Sequence, residues 1–371
     1  MPTSAKAAIL KTANEPLVIE NIELDDPKPN EVLVRMISAG VCHTDFSMQN
    51  ILPKPIILGH EGAGVVELTG HKVTKVSKGD RVVLTFGSCG ECPCCINNNP
   101  AYCDNMKDIQ FSGKRIDGSS TILSSNYINL HASFFQQSSF ATYCIATERN
   151  VVSIKNSKAP LEILGPLGCG IQTGAGAIFN SLKVQKGSDL VIFGTGSVGL
   201  SAIMAANLIQ CGRLIAVDTN ADRLEISKKL GATHIINPDK ENVLESIRNI
   251  TNDRGANFSL ETSGVEKSFN QAIECLSNLG VCGIVTTPSN GEKIQFSPTS
   301  ILLGGKKLIG ILEGSSVPDI FIPKLVKLFL EGRFPIDSLI SFYNFSDINK
   351  AIEDSKKGKV IKPVLLMNNK I

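Results

Sequence analysis

Residues 31–152 alternate short apolar runs with turn residues. The runs VLVRMIS, GVVEL and RVVL are rich in β-branched side chains, and glycine, proline and aspartate separate them. Branched side chains fit the pleated surface of a sheet, and turn residues between short runs mark the connections of neighbouring strands. This pattern predicts an irregular, antiparallel, β-rich domain.

From about Ile171 the pattern changes to apolar strands that alternate with helical segments. The runs LVIFG, LIAVD, HIIN, FSLET and CGIVT are short and mostly apolar, with helix-like segments between them. Such alternation is typical of a doubly wound parallel sheet, whose two faces are covered by helices. Beyond about Leu312, IPKLVKLFLEG predicts a helix and VIKPVLLM a final strand. A chain of 371 residues is long enough for two domains.

Two long stretches carry no charge. Residues 190–209 are long enough to cross a bilayer, but three glycines divide them into a strand, a tight turn and a helix. Residues 118–147 are rich in Ser, Asn, Phe and Gln and are predicted to form a long loop, which in a compact domain is often functional. With Phe86, Phe134 and Phe135 nearby in sequence, this stretch is a candidate for contact with an apolar substrate.

Composition narrows the choice of partner and compartment. The net charge is +2 and no block of like charge occurs, which argues against nucleic acid and membrane surfaces as partners. The N-terminal segment MPTSAKAAILKTANEPL shows no apolar stretch followed by a cleavage site. We therefore expect a cytoplasmic protein whose 11 cysteines are reduced, and a small-molecule partner.

Four cysteines, Cys89, Cys92, Cys95 and Cys103, are separated by two, two and seven residues in a loop rich in Gly, Pro and Asn. Paired short spacings are typical of structural zinc sites, in which four thiolates enclose one ion. A lone cysteine is more often a core residue, but this spacing favours the metal. The cysteines outside this spacing that lack a ligand pattern are predicted to point away from the ion or to fill the core: Cys94, Cys144, Cys211, Cys275 and Cys282.

A second set of ligand types, Cys42, His60 and Cys169, has three members. Three protein ligands leave one position open for water or substrate, which is the arrangement of catalytic zinc. A histidine taken alone is more often a core residue, so the prediction for His60 depends on its two cysteine companions.

The run VIFGTGSVG places Gly194, Gly196 and Gly199 between a predicted strand and a predicted helix. This GxGxxG pattern lets the backbone approach a pyrophosphate at the amino end of the helix. Asp218 ends the next strand, where a carboxylate accepts hydrogen bonds from the adenosine ribose and repels a 2′-phosphate. The pattern predicts a dinucleotide cofactor, NAD rather than NADP.

Together these residues resemble the zinc-dependent medium-chain alcohol dehydrogenases over essentially the whole chain. The resemblance rests on GVCHTD, GHEGAGVVE, KGDRVVL, the four-cysteine loop, GCGIQTG, GTGSVG and GKVIKPVL. The runs FFQQSSFATYCIATERNVV and LGPLGCGIQTGAGAI are similar to the aryl-alcohol (benzyl alcohol) dehydrogenase branch. The family implies an α/β protein with two domains. A GroES-like β-rich catalytic domain, residues 1–170 and 312–371, holds both zinc sites, and residues 171–311 form a Rossmann NAD-binding domain.

The resemblance also assigns roles to individual residues. Cys42, His60 and Cys169 hold the catalytic zinc, Glu61 lies behind the metal and Asp45 orients His60. Thr44 takes the proton of the alcohol. Further positions match contacts with the nicotinamide, ribose or phosphates of the cofactor: His43, Thr173, Val198, Arg223 and Lys362. Ser47 stands where many relatives carry a histidine that completes the proton relay.

The implied reaction is reversible oxidation of an aromatic or allylic primary alcohol to its aldehyde, with hydride transfer to NAD and two zinc ions per chain. Within the family, a glutathione-linked formaldehyde dehydrogenase and a general primary-alcohol dehydrogenase are alternatives. The first would need cations in the substrate loop, and residues 118–147 carry none. A non-enzymatic protein that binds zinc and nucleotide is a third reading, disfavoured because Thr44, Asp218 and all three ligands are present. We expect a homo-oligomer, a dimer or a tetramer.

Overall fold

The chain folds into two compact units, one of which is formed by both ends of the sequence. The computed structural model describes residues 2–123, 129–288 and 293–367. One unit comprises Met1–Cys169 and Val317–Ile371, and the other comprises Gly170–Ser316. The boundaries expected from the sequence were 170/171 and 311/312.

The first unit is β-rich. Its strands are β1 (Thr3–Leu10), β2 (Val18–Leu24), β3 (Glu31–Gly40), β4 (Ile56–Ile57), β5 (Gly62–Thr69), β6 (Arg81–Leu84), β7 (Tyr143–Thr147), β8 (Val151–Ser153), β15 (Ile340–Asn344) and β16 (Lys362–Leu366). One sheet has the order β2-β1-β4, and a second has the order β15-β16-β3-β5-β6-β8, with β7 also paired to β3. Apart from the parallel pair β15–β16, neighbouring strands in these sheets are antiparallel.

β3 is the central strand of this unit because it pairs with β16, β5 and β7. Its valines and the facing residues of β5 and β7 are buried in one apolar core. The connections of β3 and β5 then lead directly into candidate ligands: Cys42 lies two residues after β3, and Glu61 immediately precedes β5. A rigid sheet therefore positions two chain segments that carry ligand side chains.

The second unit contains a parallel sheet. Its strands are β9 (Leu190–Phe193), β10 (Leu214–Val217), β11 (His234–Ile236), β12 (Ala256–Glu261), β13 (Leu276–Ile284) and β14 (Lys307–Gly310), in the order β11-β10-β9-β12-β13-β14. All residues of β9 and β10 are buried, as expected for central strands covered on both faces. The predicted doubly wound sheet is thus confirmed.

Helices in the first unit are short except for the two near its C-terminal end. They are α1 (His43–Ser47), α2 (Pro93–Ile96), α3 (Met106–Phe111), α10 (Pro318–Leu330) and α11 (Ile348–Lys356). Those of the second unit are α4 (Gly170–Gly176), α5 (Ser197–Ile209), α6 (Ala221–Lys229), α7 (Val243–Ile250), α8 (Glu266–Glu274) and α9 (Pro298–Gly304). Among the described residues, no helix is both long and apolar enough to span a membrane.

Three sequence expectations need correction. The β-rich region begins at β1, not at Glu31, because the Ala-rich run AKAAIL of β1 carries a weak strand signal. β14 was missed because it has four residues that are mostly exposed. The predicted loop 118–147 ends in β7, and residues 132–141 within it are buried. Residues 124–128 of that stretch lie outside the described part of the chain.

Candidate active site

The four predicted structural ligands form one cluster, here called the cysteine cluster (Cys89, Cys92, Cys95, Cys103). Two of its Sγ–Sγ distances are 3.9 Å (Cys89–Cys95) and 4.0 Å (Cys92–Cys103). A tetrahedral zinc with Zn–S bonds of about 2.3 Å places sulfurs about 3.8 Å apart, whereas a disulfide needs about 2.05 Å. The spacing of the sulfurs therefore fits a metal ion and excludes a bridge.

Backbone N–H groups also point at these sulfurs. Cys89 N donates to Cys103 Sγ (3.3 Å), Cys92 N donates to Cys89 Sγ (3.4 Å) and Asp104 N donates to Cys92 Sγ (3.4 Å). Hydrogen bonds of this kind stabilise negative charge on sulfur. Burial opposes the thiolate of Cys89, but the N–H groups of Glu91 and Cys92 outweigh it and lower its pKa to about 6.

A second group, here called the mixed cluster, consists of Cys42, His60, Glu61 and Cys169. One ligand atom from each residue lies within 4.8 Å of all the others. The Sγ atoms of Cys42 and Cys169 are 4.0 Å apart, again the separation of two thiolates on one ion. The structure thus brings the three predicted ligands together across 127 residues and places Glu61 beside them, where the family resemblance had put it.

Asp45 links two of these ligands to each other. Its Oδ2 accepts a hydrogen bond from Cys42 N (2.9 Å) at the start of α1. Its Oδ1 accepts one from Gly59 N (3.1 Å) and lies 3.0 Å from His60 Nδ1. Because the carboxylate accepts from Nδ1–H, the imidazole presents Nε2 as a bare acceptor, which is the metal-binding form.

The backbone conformation of Gly59 sets the direction of the chain between β4 and His60. Gly59 has φ +89°, a conformation that favours glycine, and a Cβ there would lie 2.6 Å from Phe140 N. The tight approach of this segment to residue 140 leaves no room for a side chain. The residue before His60 in GHEGAG is therefore glycine for a steric reason.

His60 supplies the test of whether a metal fits the mixed cluster. Its side chain is buried, yet Nε2 has no hydrogen-bond partner among the described residues. A buried polar atom without a partner is costly unless something else satisfies it. Two thiols whose sulfurs lie within 4.8 Å of an imidazole nitrogen make a metal cation the group that the donor set fits.

The electrostatics of the cluster agree with a cation site. The hydrogen bond to Cys169 lowers the pKa of Cys42 well below its usual range, against burial, and His60 and Lys362 add to the effect. Burial disfavours a charged His60, but Asp45 and Cys42 outweigh it and raise the pKa of His60 well above its usual range. The negative charges around His60 therefore favour a positive charge beside Nε2, which a bound metal cation supplies without a proton on that nitrogen.

Glu61 is paired with Lys362 in the interior of the first unit. Lys362 Nζ lies 2.9 Å from both carboxylate oxygens of Glu61 and donates to Val41 O (3.3 Å). Burial raises the pKa of Glu61 to about 7, with Lys362 opposing the shift. For Lys362, burial opposes the charge, but Glu61 and Cys42 outweigh it and raise its pKa. The sequence predicted Lys362 as a cofactor contact and missed this ion pair.

Residues 134–137 contact His60 through two aromatic rings and a hydrogen bond to its backbone. The ring of Phe135 stacks on the imidazole at 4.5 Å between centroids, and the ring of Phe134 meets it edge-on at 5.5 Å. Gln137 Nε2 donates to His60 O (3.0 Å) and to Thr85 O (2.9 Å). Phe86, Phe134 and Phe135 are all buried. Nothing in the local sequence distinguishes Gln137, which we did not predict.

The glycine-rich turn lies between β9 and α5, as predicted. A Cβ at Gly199 would lie 1.9 Å from Gly194 O, so packing of the turn itself requires that glycine. A Cβ at Gly196 would meet no described atom within 4 Å. Packing within the chain therefore gives no reason for glycine at 196, whereas close approach of a phosphate to the backbone does.

Asp218 follows β10 and faces the same turn. Its Oδ2 accepts hydrogen bonds from Thr195 N (2.6 Å) and Thr195 Oγ1 (2.8 Å), and its Oδ1 accepts from Asn220 N (2.8 Å). The carboxylate is thereby fixed beside the glycines. The hydrogen bond from the Thr195 hydroxyl to Asp218 was not predicted from the sequence. Its only sign in the sequence is the position of Thr195 between Gly194 and Gly196.

The remaining predicted residues are divided between the two units. Thr44 Oγ1 is 3.7 Å from Cys42 Sγ, whereas His43 and Ser47 are exposed on α1. In the second unit Thr173 is buried in α4 and Val198 is half-buried in the first turn of α5. Arg223 Nε, on α6, is buried without a hydrogen-bond partner among the described residues. Their cofactor contacts stay predictions.

Comparison with known proteins places this geometry in a family. Residues 28–156 match the alcohol dehydrogenase GroES-like domain, and residues 197–331 match the zinc-binding dehydrogenase domain. Geraniol dehydrogenase from Castellaniella defragrans is 40% identical over 366 residues, which cover 98% of each chain.

Solved structures agree over the whole length. The crystal structure of benzyl alcohol dehydrogenase from Acinetobacter calcoaceticus matches with a TM-score of 0.94 and 42% identity, covering 99% of this chain and 100% of that one. An alcohol dehydrogenase zinc-binding domain protein from Burkholderia ambifaria matches with a TM-score of 0.96 and 44% identity over 100% of both chains. The two ligand clusters, the glycine-rich turn and these full-length similarities together show that the chain belongs to the medium-chain zinc-dependent alcohol dehydrogenases.

Proposed function

We propose that the protein oxidises an aromatic or allylic primary alcohol to its aldehyde with NAD, reversibly, and that it carries two zinc ions. The observation that carries the proposal is the mixed cluster, in which two thiols and the bare Nε2 of His60 converge beside the hydroxyl of Thr44. The four sulfurs of the cysteine cluster support a structural ion. The mixed cluster, with two sulfurs and one imidazole as ligands, leaves a position open and supports a catalytic ion.

Each implied group has residues that would hold it. Cys42, His60 and Cys169 would hold the catalytic zinc, and the glycine-rich turn with Asp218 would hold NAD. When bound, the zinc supplies Lewis acidity and the nicotinamide supplies a hydride acceptor.

The protein's own residues orient these groups and move the proton. Asp45 keeps the proton of His60 on Nδ1, so that Nε2 stays available. Thr44 Oγ1 is the hydroxyl beside the mixed cluster and would accept the proton of the substrate alcohol while its own hydroxyl proton passes on toward solvent. Lys362 balances the charge of Glu61 at 2.9 Å, which limits the accumulation of negative charge next to the thiolates. Ser47 is exposed on α1 and can pass a proton to solvent, although it cannot hold one near neutral pH.

Two relatives support the substrate class. Geraniol and benzyl alcohol, for which two similar proteins are named, each carry a CH2OH group bonded to an unsaturated carbon. Residues 118–147 carry no cation, and Arg115, three residues before them, is bound by Glu31 and Asp25. No free charge on that side chain is left for the carboxylates of a glutathione adduct, which disfavours the formaldehyde alternative.

We expect benzyl, cinnamyl and geranyl alcohols to exceed ethanol and hexanol by at least about tenfold in kcat/KM with NAD, because an unsaturated group adds apolar contact worth one or more kcal/mol. Steady-state absorbance of NADH across this panel measures the ratio. Ethanol as good a substrate as benzyl alcohol would refute the substrate class and leave the dehydrogenase activity standing. Absence of turnover with every alcohol would refute both.

For the cofactor, we expect kcat/KM with NAD to exceed that with NADP by at least about a hundredfold. A carboxylate beside a 2′-phosphate is costly in a partly desolvated site, and each factor of ten corresponds to about 1.4 kcal/mol. Asp218→Gly should narrow the ratio, whereas Asp222→Gly, an exposed aspartate in the first turn of α6, should leave it unchanged. Equal efficiency of NAD and NADP in the unaltered protein would contradict the role of Asp218.

We also propose that the protein self-associates through the β14 edge of the parallel sheet. In the described part of the chain β14 is the outermost strand of the parallel sheet and pairs with β13 alone. Around this edge lie four exposed leucines, Leu279, Leu302, Leu303 and Leu308. An exposed strand edge with an apolar surround is a template for pairing, and a two-fold axis lets the same strand of a second copy pair with it.

The association should be visible in solution as a particle of at least twice the 39.7 kDa of one chain. Replacing Leu302 and Leu303 by Asp should shift the mass in light scattering toward one chain, because both side chains are 79% exposed in the single chain. Ile320→Asp, at an apolar residue of α10 that is 71% exposed, is the control and should not change the mass. A wild-type protein that is monomeric at micromolar concentration would contradict the proposal.

A further inference from the structure

Three aromatic side chains connect His60 to helix α3. The ring of Phe135 lies nearly parallel to the imidazole, with an interplanar angle of 22° and centroids 4.5 Å apart. The ring of Phe111, the last residue of α3, meets Phe135 edge-on at 5.4 Å and 84°. Phe134 fills the corner between them, 4.8 Å from Phe135 and 6.3 Å from Phe111. These are preferred geometries of aromatic pairs, so the rings fix each other's orientation.

The backbone that presents Phe135 is held in an unusual conformation. Phe135, Gln136 and Ser138 all have positive φ, at 51°, 57° and 50°. Such angles are unfavourable for bulky residues, and they persist only where the surroundings enforce them. Ser138 Oγ accepts from Phe134 N (2.8 Å) and donates to Ile57 O (2.7 Å). The turn is therefore tied to the strand that precedes His60.

The other end of this connection lies at the cysteine cluster. Helix α3 starts three residues after Cys103, and its Ile109 packs into the apolar cluster formed by Cys92, Cys95 and Cys103. Gln136 Nε2 donates to Ile109 O (2.7 Å). Ile109 thus touches the cysteine cluster with its side chain and the Phe135 turn with its backbone.

Gly87, which follows β6, packs against the same residues, Ile109 and Gln136. Gln110 Nε2 donates to Gly87 O (3.1 Å), two residues before Cys89. A Cβ at Gly87 would lie 2.9 Å from Ile109 Cγ2 and 2.9 Å from Gln136 Cγ. Three segments, those of Gly87, α3 and Gln136, are therefore packed without spare space between the two clusters.

We propose that this connection, from the cysteine cluster through Ile109 and the Phe111–Phe135 pair to His60, fixes the imidazole and thereby sets how tightly the mixed cluster retains its metal. Phe111 and Phe135 are positioning residues. The inference rests on the proposed occupancy of both clusters by metal.

A mechanical reason supports this role. The hydrogen bond from Nδ1 to Asp45 holds the imidazole at one point and leaves rotation about that contact free. Phe135 on the ring face removes this rotation, and Phe111 keeps Phe135 in place. Groups that orient a ligand in this way typically change metal affinity by 10–100-fold when they are removed.

The experiment measures metal release from the intact protein on addition of a chromogenic chelator. Elemental analysis first gives the zinc content, and the kinetic phase absent from Cys169→Ser identifies the metal of the mixed cluster. We expect Phe111→Leu to speed that phase about tenfold and to leave the other phase unchanged. Phe111→Tyr retains the ring at a half-buried position and should restore the wild-type rate.

A double-substitution cycle tests the connection itself. Ile109→Ala loosens α3 at the cysteine cluster and should also speed metal release from the mixed cluster, because Ile109 holds the Phe135 turn through its hydrogen bond with Gln136. In the double variant with Phe111→Leu, Ile109→Ala should add little to the rate of metal release, because both substitutions interrupt the same connection. Phe345→Leu, at a buried phenylalanine elsewhere in the same core, controls for general loosening and should leave both phases unchanged.

Several results would overturn the proposal. These are an unchanged mixed-cluster phase in Phe111→Leu, equal acceleration in Phe345→Leu, or independent effects that multiply in the double variant. Should Phe111→Leu not fold, Phe111→Met, closer in volume, replaces it in the same assay. An intact protein with one zinc would instead refute the two-metal occupancy. It would thereby also refute the proposed connection between the two metal sites. Two zincs and an unmoved phase would refute the connection alone.

Discussion

The carboxylate of Asp45 is the group on which the mixed cluster depends. It is fully buried and takes part in three contacts, with Cys42 N, Gly59 N and His60 Nδ1. One side chain therefore fixes the start of α1, the turn before His60 and the tautomer of the imidazole. Loss of any one of these contacts would leave the buried carboxylate with fewer hydrogen-bond donors. The three features therefore depend on one another.

Around this group the β-rich unit provides a rigid frame. The ligands come from the ends of β3 and β5 and from the segment before α4, and the sheet brings them together across more than a hundred residues of sequence. The second unit uses a different principle for its cofactor. There the glycine-rich turn and Asp218 lie at the carboxyl ends of neighbouring parallel strands, where Thr195 joins them.

The sequence predicted those parts of the site that depend on local pattern. The cysteine spacing, the GxGxxG turn after a strand and the aspartate after β10 are local, and the structure places each of them as expected. The grouping of Cys42, His60 and Cys169 followed from ligand types and from family resemblance. Asp45, three residues after Cys42, was assigned in the same way and lies beside His60.

The parts that could not be predicted are long-range or depend on backbone strain. Glu61 and Lys362 are 301 residues apart and meet only because β16 pairs with β3. Phe135 stacks on His60 only because its backbone adopts a left-handed conformation that its residue type disfavours. β14 was missed because an exposed strand of four residues leaves almost no periodic signal.

The most direct test of the account is zinc K-edge X-ray absorption of the intact protein. We expect sulfur neighbours at about 2.3 Å and lighter neighbours at about 2.0–2.1 Å, with the outer-shell scattering of an imidazole. That imidazole signal should disappear in His60→Ala and persist in His131→Ala, which changes a histidine outside both clusters. A spectrum of sulfur alone, or an imidazole signal that survives His60→Ala, would contradict the assignment of His60 as the ligand on which the mixed cluster is built.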